Sequence, residues 1–160
     1  MERTVNTYSP NDVSLQIGSY ICGAWKLIEI DRSVKGYKKI RGIRGKNTRV
    51  PNVDNSANIR IQIMQTSHTN DVFSLIHEKD LLEKTGRLSV TLKDKSGSSV
   101  FHSNEAYIEG YPKTIFSDDI VFHEWEIFCQ STSIYRVGGN NTPETKLFDS
   151  LTSALTNLIN

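Results

Sequence analysis

The sequence is poor in cysteine and proline and has no long apolar run. Its 160 residues include two cysteines and four prolines. The longest stretch without a charged residue, 13–25, is interrupted by polar residues and is shorter than the roughly 18 apolar residues that a membrane span needs. The polar N-terminus also lacks the apolar core of a signal peptide. Cys22 and Cys129 are therefore expected to be reduced, buried thiols, in a chain assembled in a reducing cytoplasm.

Motifs for catalysis and metal binding are lacking as well. The histidines at 68, 77, 102 and 123 have no metal-ligand spacing with one another or with the cysteines. No nucleophile elbow, phosphate loop or dinucleotide fingerprint occurs. His123 and Cys129 would be about 20 Å apart on one strand, too far for a nucleophile and its base. The sequence predicts a protein that is not an enzyme, with no metal, cofactor or small-molecule substrate.

The length and composition predict one globular domain spanning residues 1–160. Hydrophobic residues make up 37% of the chain and charged residues 23%, which excludes a disordered composition. Residues 1–14 are expected to form an N-terminal arm, 34–57 an extended basic hairpin or loop, and 138–160 a hinge with a C-terminal helix. The predicted fold class is mainly β (α+β), a sandwich or barrel-like domain with a flanking helix.

Hydrophobic periodicity supports this fold class. In 58–65, Ile59, Ile61 and Ile63 alternate with polar residues, as in a strand with one buried face. The spacing becomes helical after Ser67 or Thr69, either of which could cap a helix, and Gly86 is expected to end it in a left-handed conformation. Alternation predicts the other strands at 15–21, 27–33, 88–92, 100–101, 105–109 and 121–129.

Charge is unevenly distributed along the chain. The 19 basic and 18 acidic residues give a net charge of +1. Seven basic residues fall within fifteen positions that contain no acid, and without them the chain has a net charge of −6. This segment could be a solvated loop, a nucleic-acid-binding ribbon that neutralises phosphates, or a surface that docks on the acidic body of another copy. The seven are Lys35, Lys38, Lys39, Arg41, Arg44, Lys46 and Arg49.

Six acidic residues fall on the strand faces opposite the more apolar ones. If these strands share a sheet, one face of that sheet is acidic. The acidic residues on this face are either simply exposed to solvent or part of a functional surface. The residues are Glu29, Asp31, Glu105, Glu109, Glu124 and Glu126.

The C-terminal segment has one apolar stripe at helical spacing. It follows the sequence Gly-Gly-Asn-Asn at 138–141, which is typical of a hinge. The opposite side is polar, so the predicted amphipathic helix needs to dock on its own domain or on a neighbour. Its candidate contact residues are Leu147, Phe148, Leu151 and Leu155.

The order of these elements resembles the tail tube proteins of contractile-tailed bacteriophages. The similar pieces are the alternating strand that ends in Gln-Thr-Ser at 65–67, the helix that begins near Asn70, and the strand at 122–129 with acidic residues and Trp125 before its apolar end. The resemblance covers about residues 15–130. It implies a β-sandwich or barrel-like domain, six copies of which form a ring, with the rings stacked into a tube that conducts double-stranded DNA.

The resemblance implies a structural virion protein in the tail, assembled in the host bacterial cytoplasm. Its implied partners are identical copies, the tail sheath, tape-measure and tube-end proteins, and transiting DNA. The seven basic residues and the C-terminal stripe are then expected at contacts between subunits or rings, and the six acidic residues at the lumen, where like charge repels phosphate. The alternatives are a tube subunit of a secretion or injection machine and a small nucleic-acid-binding module.

Overall fold

The computed structural model describes residues 7–139 and 153–159, and its main element is a seven-stranded antiparallel sheet. The order across the sheet is β2-β1-β7-β8-β9-β6-β3, and β4 and β5 form a separate two-stranded sheet. A 3₁₀ turn, Pro10–Asp12, precedes the first strand, and residues 153–159 are helical. The elements are β1 Val13–Ile17, β2 Tyr20–Ile21, β3 Trp25–Arg32, β4 Tyr37–Arg41, β5 Asn47–Pro51, β6 Ala57–Met64, α1 Thr69–Glu83, β7 Leu88–Asp94, β8 Val100–Ile108 and β9 Phe122–Arg136.

The hydrophobic core lies on one face of the seven-stranded sheet. The side chains of Ile59, Ile61 and Ile63 on β6 are buried on this face, as their alternation predicts. The register pairs Ile61 with Trp125 on β9, and α1 covers Trp125 with Phe73 in an edge-to-face contact of 5.4 Å between ring centroids. The sheet curls into a half-barrel with a flanking helix, so the predicted mainly-β fold class is confirmed.

The start of α1 is tied to the sheet by the carboxamide of Asn70. Its Nδ2 donates to the carbonyls of Met64 (2.9 Å) and Ser67 (3.2 Å). Its Oδ1 accepts from the indole N–H of Trp125 (3.0 Å) and lies 3.4 Å from Nδ1 of His123. One side chain therefore joins the end of β6, the helix and β9, and gives the buried indole its hydrogen bond.

The ends of α1 differ from the prediction. His68 is the N-cap residue and its side chain makes no capping bond, although the Ser67 hydroxyl accepts from the N–H of Thr69 (3.2 Å). Lys84, with φ 59°, ends the helix in the left-handed region, so the prediction for Gly86 was wrong. Gly86 instead donates its N–H to Oδ1 of Asp80 (2.8 Å), and a Cβ at this position would overlap the Asp80 side chain. Position 86 therefore requires glycine because the backbone there lies too close to the Asp80 side chain for a Cβ atom.

Three strand boundaries also differ. The predicted strand at 15–21 is divided by a turn at Gly18, whose φ is 58°. The predicted strands at 100–101 and 105–109 are one strand, β8, in which register shifts between His102 and Ala106 break the alternation. β9 extends seven residues beyond the predicted end at Cys129, because its Ser-Thr-rich continuation pairs with β8.

Both cysteines are free and buried, as predicted. Burial raises the pKa of the Cys22 thiol to about 12 and that of Cys129 to about 11. Both thiols therefore remain protonated near neutral pH and react poorly. None of the helices within 7–139 and 153–159 is long and apolar enough to cross a membrane.

Candidate functional site

The basic segment forms a hairpin that stands apart from the seven-stranded sheet. β4 and β5 pair with each other, and each of their ten residues is exposed. The N–H and the side-chain Nδ2 of Asn52 donate to the carbonyls of Gly36 and Lys35 at its base. Below it, the Ser56 N–H donates to Oδ1 of Asp54 (2.9 Å), which lowers the pKa of that carboxyl. The prediction of an extended basic hairpin is thus realised in β4 and β5.

The two sides of the basic hairpin differ in chemistry. Residues that face each other in an antiparallel register share a side, and successive residues alternate. Lys39 faces Arg49, and Arg41 lies on the same side. The Arg49 guanidinium stacks over Tyr37, 4.5 Å from the ring centroid. The other side has Lys38, Ile40, Thr48 and Val50. One side is cationic, and the other, which we call the apolar side, combines Lys38 and Thr48 with the exposed Ile40 and Val50.

The tip of the basic hairpin is a tight turn that presents one apolar and two basic side chains. The N–H of Gly45 donates to the Gly42 carbonyl (2.9 Å), and Gly45 has a φ of 81°. Ile43 is fully exposed between them. Arg44 and Lys46 belong to the same turn. Strands flank this Gly-x-x-Gly turn, whereas helices flank the corresponding loop of a KH domain.

The acidic residues on β3 and β9 share the face of the sheet that is opposite the core. The register aligns Glu29 with Arg60 on β6 and Arg60 with Glu126 on β9. Arg60 pairs with Glu126 through an N–O distance of 3.5 Å. Asp31 and Glu124 lie on the same face in the neighbouring rows. We call this surface the acidic face. Among the described residues, three cations lie among or beside its four carboxylates: Arg60, Lys26 over the Phe122 ring, and Lys113, which lines a small pocket with Glu124 and Glu126. Its local charge is therefore slightly negative.

The other two predicted acidic residues lie at the margin of the acidic face. Glu109 follows the end of β8, and its N–H donates to the Glu126 carbonyl (3.1 Å). Glu105 is half-buried in β8 beside the register shifts and pairs with Arg87 at 2.8 Å. The structure therefore brings five of the six acidic residues into one neighbourhood, on or beside β3 and β9. Glu105 has its own cationic partner.

The strand β3 forms one margin of the seven-stranded sheet. It has eight residues and pairs on one side with β6. The hydroxyl of Tyr135 donates to the Ile30 carbonyl (3.1 Å) from across the curl of the sheet. The basic hairpin begins just after β3, so a sheet edge that pairs with no other strand within 7–139 and 153–159 is adjacent in the chain to a cationic projection. Such an edge is a template for pairing with another strand.

Only one of the four predicted C-terminal contact residues lies within the described part of the chain. Leu147, Phe148 and Leu151 lie outside the described residues. Leu155 belongs to the helical residues 153–159, all of which are exposed. The described part of the predicted helix therefore has no cover from the sheet.

The sequence interpretation missed an apolar groove on the core face, which we call the concave groove. It has a volume of about 420 Å³ and lies where the curled sheet brings β3 opposite β7 and β8. Alternation indicated that Ile28 and Ile30 share a face, but the curl that brings them near Phe101 and Tyr135 is a long-range property without a local signal. The apolar lining used below is Trp25, Ile28, Ile30, Leu92, Phe101 and Tyr135.

Comparison with known proteins relates this chain to phage and contractile-machine proteins. No family model matches. A structural protein, ORF10, of Pseudomonas phage KPP10 is 29% identical over 169 aligned positions, which cover 99% of this chain and 97% of the relative.

Three similar solved structures come from contractile injection systems. The tube-terminating cap of the anti-feeding prophage aligns with a TM-score of 0.56 and 11% identity, over 85% of this chain and 97% of that one. A chain of the PVC sheath/tube terminator aligns with a TM-score of 0.52 and 14% identity, over 84% and 100%. A chain of the PVC sheath-tube complex aligns with a TM-score of 0.55 and 14% identity, over 82% and 93%. These matches show a shared fold. Together with the phage relative, they confirm the predicted resemblance to contractile-tail proteins.

Proposed function

We propose that this chain is a subunit of the inner tube of a phage contractile tail. In this proposal, copies form hexameric rings, and stacked rings form the conduit for double-stranded DNA. The observation that carries it is the basic hairpin, whose strands are exposed on a chain whose remaining residues outside the seven basic ones have a net charge of −6. A subunit that presents opposite charges on separate surfaces is suited to binding copies of itself.

The basic hairpin also needs a partner for physical reasons. An isolated two-stranded hairpin is marginally stable in water. Its apolar side exposes about half of Ile40 (52%) and of Val50 (43%). Docking on a neighbouring subunit would bury this side and pair the cationic side with carboxylates. Surface ion pairs contribute only about 0–1 kcal/mol each, so strong assembly requires many copies and sheet pairing in addition.

The unpaired edge of β3 provides a route to ring closure. If β3 pairs with the opposite sheet margin of the next copy, the half-barrels join into one closed wall without free edges. The acidic face would then line the lumen, where it would repel DNA phosphates and keep the conduit from binding its cargo. Glu29, Asp31, Glu124, Glu126 and the adjacent Glu109 would line this surface, with Glu105 at its margin.

The surrounding machine would supply the other partners. We assign the chain to the virion tail, assembled in the host bacterial cytoplasm. The sheath would surround the tube, tube-end proteins would close it, and a tape-measure protein and then DNA would occupy the lumen. The related phage structural protein and the fold shared with a sheath-tube complex support this assignment.

Negative-stain electron microscopy of the purified full chain tests the proposal. We expect rings, or tubes with a central hole, at protein concentrations at which assembly is complete. Particles that stay monomeric at every concentration and salt condition would contradict it. Rotational averaging of end views would measure the number of subunits in a ring.

A tube-terminating subunit is the second candidate, because two of the similar structures are a tube cap and a sheath/tube terminator. A terminator forms one ring and stops growth, whereas a tube subunit stacks without limit. The same micrographs distinguish them: isolated rings favour the terminator, and tubes of varied length favour the tube subunit.

A nucleic-acid-binding module remains the third candidate because of the basic hairpin. Binding by this module would be strong and would weaken steeply with salt. A tube subunit should bind duplex DNA no more tightly than a typical non-specific Kd of about 10⁻⁴–10⁻⁶ M at physiological salt. A gel-shift titration at several salt concentrations measures this difference.

A further inference from the structure

The core face of the sheet has two apolar areas, and among the described residues the helix α1 covers one of them. α1 packs Phe73 on Trp125, and both side chains are buried. The concave groove is the second area. Phe101 is buried at its base, and Ile28 and Ile30 are half-buried along its β3 wall. Nothing within 7–139 or 153–159 fills this groove, so none of the described residues shields its apolar lining from water.

A second uncovered apolar surface lies on the helical residues 153–159. Leu155 is 59% exposed, Leu158 82% and Ile159 83%. Their spacing of three and four positions places them on one side of the helix. A helix stripe of this kind is stable in water only when it is packed against another apolar surface.

The charges of the C-terminal segment favour a protein partner over a membrane surface. Helices that lie on membranes combine an apolar side with a polar side rich in lysine and arginine. Residues 142–160 contain one lysine, no arginine and two acidic residues, and the rest of the polar side is Ser, Thr and Asn. The segment therefore suits a protein groove whose lining is mainly apolar.

The chain leaves the sheet at the rim of the concave groove. Val137 lines the groove. The N–H of Gly138 donates to the Ser99 hydroxyl (2.9 Å), and that hydroxyl donates to the Gly138 carbonyl (3.1 Å). The exit of the chain is thereby fixed beside the groove. Thirteen residues, 140–152, separate this exit from the helical residues. A chain of that length reaches at most about 45 Å, which allows contact with the groove of another copy as well as with its own.

We propose that the helix at 153–159 of one copy docks its apolar side in the concave groove of a second copy. The seven helical residues are exposed in their own chain, so the unfilled groove and the uncovered stripe are complementary surfaces that a second copy can bring together. If each copy made this contact with the next copy, the contacts would link the subunits around a ring. The inference rests on the proposed function, because ring formation supplies the second copy.

Disulfide cross-linking between two full-length variants tests the contact. One variant has Leu155→Cys on the helix, and the other has Leu92→Cys in the groove, where Leu92 pairs with Phe101 and shares its face of the sheet. The native thiols contribute little background, because both are buried and protonated. Docking places the engineered thiols at an effective millimolar concentration, so we expect about tenfold more disulfide-linked heterodimer than from the control pair. Non-reducing gel electrophoresis measures the yield.

The matched control replaces Leu92→Cys by Ile134→Cys. Ile134 lies next to Tyr135 on β9, is 52% exposed and faces away from the groove. Equal yields from the two pairs would overturn the proposal. So would a doubly substituted chain, Leu155→Cys with Leu92→Cys, that closes internally without forming dimers.

Micrographs of the same samples separate this inference from the proposed function. Rings or tubes without the cross-link would contradict the helix contact and leave the tube subunit supported. A specific cross-link without rings or tubes would support the helix contact and contradict the tube subunit.

Discussion

Asn70 shows how one polar side chain can organise the joint between a helix and a sheet. Its carboxamide bonds β6, the helix start and the indole of Trp125 on β9. The sequence pattern placed Trp125 on the core face correctly, because alternation determines which face a strand residue occupies. It could not identify Asn70 as its partner, since the two residues are 55 positions apart. That contact depends on the register between β6 and β9, which are far apart in the sequence.

Replacing Asn70→Ala should destabilise the fold by about 2–3 kcal/mol, because the indole N–H of Trp125 would be buried without an acceptor. Urea unfolding, followed by tryptophan fluorescence in dilute protein shown to be monomeric by sedimentation, measures this free energy.

Asn104→Ala is the matched control for this substitution. The Asn104 side chain also makes hydrogen bonds, to His102 (2.7 Å) and Ser133 (3.3 Å), but it is exposed. Its loss should cost less than about 1 kcal/mol. Equal costs for the two variants would show that the Asn70 bonds contribute no more than surface ones.

Among the elements, the basic hairpin was the most predictable and β8 the least. Three glycines exclude a good helix at 36–45, and a run of cations without an acid marks an exposed segment. The sequence could not show that its cations divide between two sides, because that depends on the pairing of Lys39 with Arg49. β8 was predicted as two strands because its register shifts interrupt the alternation that identifies a strand.

Charge reversal on the cationic side of the hairpin should weaken assembly. The variant combines Lys39→Glu, Arg41→Glu and Arg49→Glu. At about 0–1 kcal/mol for each pair, the loss of three attractions and the added repulsion should raise the critical assembly concentration by about 10–100-fold. Sedimentation of the assembled fraction across a concentration series measures it. Added salt should weaken wild-type assembly in the same direction.

A control with the same change in net charge distinguishes a local contact from a general charge effect. Lys79→Glu, Lys84→Glu and Lys113→Glu reverse three exposed lysines outside the hairpin. Equal losses of assembly in the two triple variants would contradict a specific role for the hairpin.

At the scale of the whole molecule, the curl of the sheet decides which surfaces are available. Alternation predicted both faces of β3, β6 and β9, including the acidic face. The concave groove and the free edge of β3 could not be predicted, because strand order and curl are set by contacts between distant segments. The C-terminal helix illustrates another limit: its apolar stripe is evident in the sequence, but periodicity does not identify the surface that it packs on.

A proline in the free edge tests whether β3 pairs with another copy. The Ser33 N–H donates to the Ser56 carbonyl, so the preceding N–H, that of Arg32, points away from β6. Arg32→Pro should keep the fold, since proline is tolerated where the N–H does not bond within the sheet, and should abolish ring closure. Electron microscopy and circular dichroism measure assembly and fold.

The control for this substitution is Arg32→Ala, which removes the same side chain and keeps the backbone donor. It should assemble as the wild type does. If the proline variant forms normal rings, β3 is not the pairing edge. If the alanine variant also fails, the Arg32 side chain rather than its N–H is required.

The separation of the basic hairpin from the core has an evolutionary consequence. Each of the ten residues in its strands is exposed, and the buried core contains none of them. Substitutions there can alter which surface the hairpin recognises at little cost to folding, whereas substitutions in β6 would disturb the core. Under the proposed function, partner choice and fold stability would thus be encoded in different stretches of the chain. Two related tails in one host could diverge in this hairpin alone and cease to mix their subunits.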